Sequence, residues 1–316
     1  MKKLAPEISV IMPVYNSGHF LEESIESILN QTFTNFEFII IDDKSNDNSK
    51  EIISNYMIKD NRIILIENED NLGVAAARNR GLEIARGKYI ALMDSDDVSF
   101  PNRLEKEYLF LENNPEFLLV GSSGIRIDEK GNKLENINYC EDLNIKGKIY
   151  CILASSIMFR NQGIMFREKF HYAEDFDFYL RLITLGYKLT NIEDILIKIR
   201  MRTSSITMTT RTRGDFFHEK AVKFYNQRLE TGTDDYEKFD EKEIFSIPLD
   251  DSRRRYLKSV IGLSLKNAEI DAAKENFQEY KELISSKRRL LYQIAFAFPF
   301  IYSLRLKIKS LLKEKN

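Results

Sequence analysis

Residues 89–97 read Tyr89-Ile90-Ala91-Leu92-Met93-Asp94-Ser95-Asp96-Asp97, an apolar run that delivers three carboxylates at its end. Acidic side chains just beyond a buried strand sit where open α/β sheets bind their ligands. With Mg²⁺ or Mn²⁺, such carboxylates can hold a nucleotide diphosphate. Taken alone, the segment also fits a surface turn rich in Asp. The rest of the chain decides between the two.

Upstream, Ile8 to Val14 and Glu37 to Ile41 are short apolar runs, the second ending at Asp42-Asp43, and both read as buried parallel strands. Between them Asn16 or Ser17 is placed to cap a helix whose apolar residues Leu21, Ile25, Ile28 and Leu29 recur at helical spacing. A helix over Ser49 to Met57, a strand over Arg62 to Ile66 and a small-residue helix from Gly73 to about Ala85 lead into the strand that carries Asp94. This alternation predicts an α/β fold with a doubly wound sheet and right-handed crossovers.

Past Asp97 a helix should start at Pro101 and run to about Asn113. The runs Phe117 to Val120, Ile125 to Asp128 and Leu189 to Met201 then predict antiparallel strands that make the sheet mixed, with a helix opening near Glu174-Asp175. From Asp215 helical spacing dominates. Asp234 to Glu243, with six acids and two lysines, reads as a solvated linker, and Ser252 to Lys266 with Glu269 to Ser285 as a helical hairpin. The expected organisation is a sheet domain over 1–212, a helical appendage over 213–286 and a basic tail over 287–316.

With 316 residues, 43% hydrophobic and 30% charged, the composition is that of a soluble globular protein. A net charge of −2 argues against nucleic acid as a general partner. The charge is uneven: residues 287–316 hold eight Lys or Arg against one Glu, a net +7 that leaves −9 on the rest. Cys140 and Cys151 are the two cysteines and His occurs three times, which supplies neither a thiolate zinc site nor a disulfide framework. The opening Met1-Lys2-Lys3 runs into a strand with no apolar signal core, so the expected location is cytoplasmic.

The segments ISVIMPVYN (8–16), FIIIDDKSNDNS (38–49), NLGVAAARNRG (71–81) and YIALMDSDD (89–97), in that order and spacing, resemble glycosyltransferase family 2, inverting enzymes of the GT-A fold. The resemblance spans roughly residues 6–210 and implies a single sugar moved from a nucleotide-diphosphate donor, UDP-linked, to a hydroxyl of a cell-surface glycan or lipid-linked acceptor. It implies that Pro13, Val14, Tyr15, Gly73 and Ser95 line the nucleotide-sugar site and that Asp43 accepts a hydrogen bond from the base's N–H. It further places Asp94 on the ribose, and Asp96, with Asp94 beside it, on a Mn²⁺ or Mg²⁺ ion that neutralises the leaving diphosphate. Arg78 is a second donor toward nucleotide or phosphate oxygens, although an exposed helix position is the plainer reading of an Arg. Glu174-Asp175 is similar to the family's acidic pair, whose Asp is the general base; acids at a first helical turn also simply complement the dipole.

One departure stands out. Family members often carry Arg-x-His near the end of this domain, where this chain has Arg200-Met201-Arg202-Thr203-Ser204-Ser205, so that Arg202 would meet phosphate directly instead of ligating a cation.

The tail from Leu290 to Tyr302 is mostly apolar, interrupted by Pro299 and flanked by bases. It is shorter than the ~20 residues that span a bilayer, and fits either an anionic inner-membrane surface or a helix packed on protein. A processive synthase is disfavoured because the chain lacks Trp, which the Gln-x-x-Arg-Trp motif of such enzymes needs. Two further readings are open. A sugar nucleotidyltransferase would want a Gly-rich loop after the first strand, which Val14 to Gly18 is not; a silent nucleotide-sugar-binding protein would not need an intact acidic pair.

Overall fold

The computed structural model describes residues 5–137, 152–202, 211–246, 252–266, 270–283 and 286–297. Cys140, Cys151, the Thr203 to Ser205 segment and the tail beyond residue 297 lie outside the described residues. Contacts divide the chain into two compact units, the first of residues 1–125, 136–200 and 213–247, the second of residues 126–135, 201–212 and 248–316.

The first unit is built on a mixed sheet. Strands β1 (Ile8–Val14), β2 (Phe36–Asp42), β3 (Ile63–Glu67) and β4 (Tyr89–Leu92) are mutually parallel in the order β3-β2-β1-β4. Helices α1 (Leu21–Leu29), α2 (Ser49–Lys59) and α3 (Val74–Ile84) make the connections. Antiparallel strands then make the sheet mixed, as expected: the runs expected separately at 117–120 and 125–128 form one strand, β6 (Phe117–Ile127), and the run from Leu189 forms β9 (Lys188–Arg200). Strand β8 (Met158–Arg160), between β4 and β6, and the two-residue β5 (Val98–Ser99), paired with β9, were not expected. A further strand, β7 (Lys133–Ile137), pairs with β6.

Side-chain alternation along each strand sorts the apolar residues onto two faces. Val10, Met12, Phe38, Ile40 and Ala91 join Leu21, Ile25 and Ile28 of α1 and Leu104 and Leu111 of α4 (Arg103–Asn113) in one core. Ile11, Ile39, Ile41 and Leu92 join Ala75 and Ala77 of α3 and Phe176, Phe178 and Leu182 of α5 (Glu174–Thr184) in the other. The small residues of α3 have a steric reason: a Cβ on Gly81 would lie 2.7 Å from Ile11 Cγ2 and 3.0 Å from Ile41 Cδ1, so the helix rests almost directly on the sheet.

Several local expectations need correcting. Neither Asn16 nor Ser17 caps α1, whose N-cap is Phe20 without a side-chain bond; both polar residues are drawn into loop contacts instead. Pro101 precedes α4 by two residues rather than opening it. The acidic stretch after residue 233 is no solvated linker. Asp234 is buried against Arg167 at 2.9 Å and Arg228, while Phe239 and Ile244 enter the second core. Helix α6 (Arg211–Thr231) joins that core through Phe217, Ala221 and Phe224, which is why residues 213–247 group with the sheet although the sequence draws a boundary at 212.

In the second unit the expected hairpin is present as α7 (Ser252–Lys266) and α8 (Ile270–Tyr280), packed through Leu257, Ile261, Ala273 and Phe277. Helix α9 (Ser286–Ala297) adds Tyr292 and Phe296, whose rings lie 5.4 and 5.1 Å from that of Phe277.

A buried cation braces the end of β4. Arg103 is fully buried; its guanidinium donates to the carbonyls of Leu92 at 2.9 Å and Ile157 at 3.2 Å and pairs with Glu107 at 3.0 Å. Breaking a buried pair strands the remaining charge. We therefore expect Arg103→Met to lower unfolding free energy by about 3–5 kcal/mol in urea titration, with most of it recovered in Arg103→Met/Glu107→Leu. An unchanged urea midpoint in the single variant would show that other groups hold the strand end.

Candidate active site

Register places the loops that matter at one edge of the sheet. Val14 stands beside Asp42 and Ile11 beside Leu92, so the chain leaves β1, β2 and β4 on the same side. Backbone bonds continue past the strands, Asp43 N to Val14 O at 2.8 Å and Met93 N to Ile11 O at 3.0 Å.

The β1 and β2 loops are laced together. Asn16, at φ 49°, accepts from Asn46 N at 2.7 Å, Asn16 N donates to Ser45 Oγ at 3.0 Å, and Gly18 N to Asp47 Oδ2 at 2.9 Å. Of the expected nucleotide-site residues here, Tyr15 is exposed and Pro13 half-buried, whereas Val14 is buried in the core and offers only its backbone. Asp43 is nearly inaccessible. Its carboxylate accepts from Asn68 Nδ2 at 2.6 Å, Leu72 N at 2.9 Å and Gly73 N at 2.8 Å. An ionised carboxylate has about four acceptor positions, so one is left for a ligand. Gly73 takes φ 86°, the left-handed region that favours glycine, and this aims its N–H at Asp43.

In the acidic turn after β4, burial alternates. Asp94 and Asp96 are partly exposed, while Ser95 and Asp97 are buried. Ser95 Oγ lies 2.6 Å from Ser17 Oγ. Asp97 faces inward, taking the Ser155 hydroxyl and, at 2.8 Å, the backbone N–H of Arg200. Burial, with the charges of Asp96 and Asp94, pushes the Asp97 carboxyl well above its ordinary range. Asp97 is thus a structural group under the turn.

Arg78, expected on sequence grounds either at the ligand or on the surface, is 2% exposed. Its guanidinium reaches Asp94 at 2.9 Å and Glu174 at 2.7 Å, tying the acidic turn to the first residue of α5. The neighbouring Asp175 is half-buried. Burial raises the Asp175 carboxyl above its ordinary value while the Arg78 cation and His218 oppose the rise; burial also pushes Glu174 up to about 7. Ala173, at φ 56°, makes the sharp entry into this helix.

Among the described residues no group of three or more His, Cys, Asp or Glu forms a preassembled metal site. Two hard carboxylates, Asp94 and Asp96, are partly exposed on one turn, Asp94 with one oxygen on Arg78, a donor set that fits a magnesium-like ion drawing its other ligands from phosphate and water. Arg202 belongs to the second unit, where it is half-buried. Sequence reasoning missed the supporting roles of Ser17, Asn68, Ser155 and Arg200: the sequence offers Ser17 as a capping residue and Arg200 only as the Arg of the Arg-x-His position.

Comparisons with known proteins agree with this geometry. The sequence profile described as glycosyl transferase family 2 matches residues 9–181. The chain is 42% identical over 206 residues to MJ1057 of Methanocaldococcus jannaschii, an uncharacterized glycosyltransferase, covering 62% of this chain and 71% of that one. It is 32% identical over 213 residues to TuaG of Bacillus subtilis, which carries the name of a teichuronic acid biosynthesis glycosyltransferase, covering 66% and 84%. The fold is similar to that of Staphylococcus aureus TarS in complex with UDP-GlcNAc, with a TM-score of 0.58 at 19% identity, covering 95% of this chain and 88% of that one. The family profile spans more than half of the residues, over the same GT-A sheet and acidic turn, and the chain accordingly belongs to glycosyl transferase family 2 and is a glycosyltransferase.

Proposed function

We propose that the enzyme transfers a single sugar, with inversion, from a UDP-linked donor to a hydroxyl of a cell-surface glycan acceptor. The observation that carries this reading is the Arg78 bridge, which couples the turn holding Asp94 and Asp96 to the acid pair that opens α5. The UDP-GlcNAc complex of TarS supports the donor class, and the name of TuaG supports a surface-glycan acceptor.

In this reading Tyr15 flanks the base and the free acceptor position of Asp43 takes its N–H. Asp94 and Asp96 would hold a Mn²⁺ or Mg²⁺ ion, which when bound supplies positive charge against the departing diphosphate. Asp175 accepts the proton of the acceptor hydroxyl as its oxygen bonds to the anomeric carbon and the bond to the diphosphate breaks.

Two predictions follow from these assignments. Asp175→Asn should reduce UDP release in the presence of acceptor by about 10²- to 10⁴-fold with donor binding retained, and Asp96→Asn should weaken donor binding as well. An active Asp175→Asn enzyme would remove the base from this account. Because a base works deprotonated, kcat/KM should rise with pH through the Asp175 titration, and burial places that limb above the ~3.9 of an ordinary Asp. A limb at or below pH 4 would point to an exposed carboxylate elsewhere.

Among the described residues no helix is long and apolar enough to cross a membrane. On α9, Leu290 and Leu291 are exposed next to exposed Arg288, and we propose that this surface meets an anionic inner leaflet. Leu290→Glu/Leu291→Glu should then lose co-sedimentation with phosphatidylglycerol vesicles; equal binding by both proteins would refute the contact.

A further inference from the structure

We infer that Arg200 is a positioning residue for the cation-binding carboxylate Asp96, an inference that rests on the proposed metal-assisted transfer. Arg200 closes β9, and its side chain is 2% exposed. Its Nε donates to the backbone carbonyl of Asp96 at 2.9 Å, and its own backbone N–H donates to Asp97 Oδ1 at 2.8 Å. At the outer end a second guanidinium nitrogen pairs with Glu23 at 2.5 Å, and the guanidinium carbon lies 4.7 Å from the centre of the Phe20 ring. One side chain therefore joins three pieces of chain: the acidic turn, the end of β9 and the start of α1.

The consequence falls on Asp96. A carboxylate in a loop searches many orientations, and ordering it costs entropy when a ligand arrives. Here the backbone that follows its Cα is already fixed. The Asp96 carbonyl is held by Arg200, and the next residue, Asp97, is anchored through its side chain and through its carbonyl, which accepts from Ser24 Oγ at 2.7 Å. The following residues pair with β9, Val98 with Lys198 and Ser99 with Ile197. The Asp96 side chain itself is partly exposed. A lysine cannot reproduce this arrangement, because its single ammonium lacks the planar fork that reaches Asp96 and Glu23 together.

The test is calorimetry on the full chain with Mn²⁺ and UDP as probes. For Arg200→Lys we expect Mn²⁺ affinity in the presence of UDP to fall about 10- to 100-fold, as for other groups that orient a metal ligand, while UDP affinity without metal stays within twofold. Purely structural damage would lower both. Wild-type Mn²⁺ affinity in Arg200→Lys overturns the inference, as does a parallel loss of metal-free UDP binding. Should Arg200→Lys not fold, Glu23→Gln, which frees only the outer end of the clamp, decides. A several-fold loss of Mn²⁺ affinity supports the assignment and an unchanged value overturns it. If the wild-type protein binds UDP but no Mn²⁺, the metal-assisted reading itself falls and this inference with it.

Discussion

Everything at this site depends on one buried cation. Arg78 lies between Asp94 and Glu174, and almost no water reaches it. A lone guanidinium there would carry a desolvation cost of several kcal/mol, and the same burial pushes the Glu174 carboxyl up while the Arg78 charge opposes that rise. Bound together, they form a rigid bridge from the strand end to the first turn of α5. The acid that follows Glu174 in sequence is then fixed relative to the acidic turn, which makes two loops from distant parts of the chain into one site.

The bridge leaves an excess of negative charge. Asp94, Asp96, Glu174, Asp175 and Asp97 lie near two arginines, Arg78 and Arg200, and burial raises the carboxyls of Glu174, Asp175 and Asp97 in response. Burial does the same elsewhere, pushing Glu107 up to about 7 and Asp177 to about 6, so what distinguishes the site is the number of carboxyls gathered around Arg78 and not the shifts themselves. Elsewhere the pairing is simpler. Arg103 with Glu107, and Asp234 with Arg167 and Arg228, each bring opposite charges together inside the packing.

The parallel half of the fold was legible because its strands are continuous apolar runs that end in candidate site residues, and period and motif coincide there. Legibility faded where pairing is set by distant partners. Met158–Arg160 and Val98–Ser99 are too short to carry a period, and only β4, β6 and β9 make them strands. The acidic stretch near Asp234 misled for a related reason: charge suggests solvent, but three-dimensional neighbours had already supplied the arginines. Likewise Asn16 and Ser17 have capping chemistry, yet the loop from β2 and the Ser95 hydroxyl take their hydrogen bonds first.

For the site itself, motifs supplied candidates for ligand contact, but three of them, Arg78, Gly73 and Ser95, also hold neighbouring groups in place, which the motifs did not indicate. Asp43 shows the same gap. Its sequence position suggests an exposed reader of a base, but three donors from 68–73 enclose it and leave one acceptor position. That enclosure makes the contact directional, because the remaining lone pair cannot turn toward another donor without breaking a bond already made. In the proposed reading, recognition of the base by Asp43 would therefore belong as much to Asn68, Leu72 and Gly73 as to the carboxylate, and of those three the sequence pointed to Gly73 alone, as a lining residue.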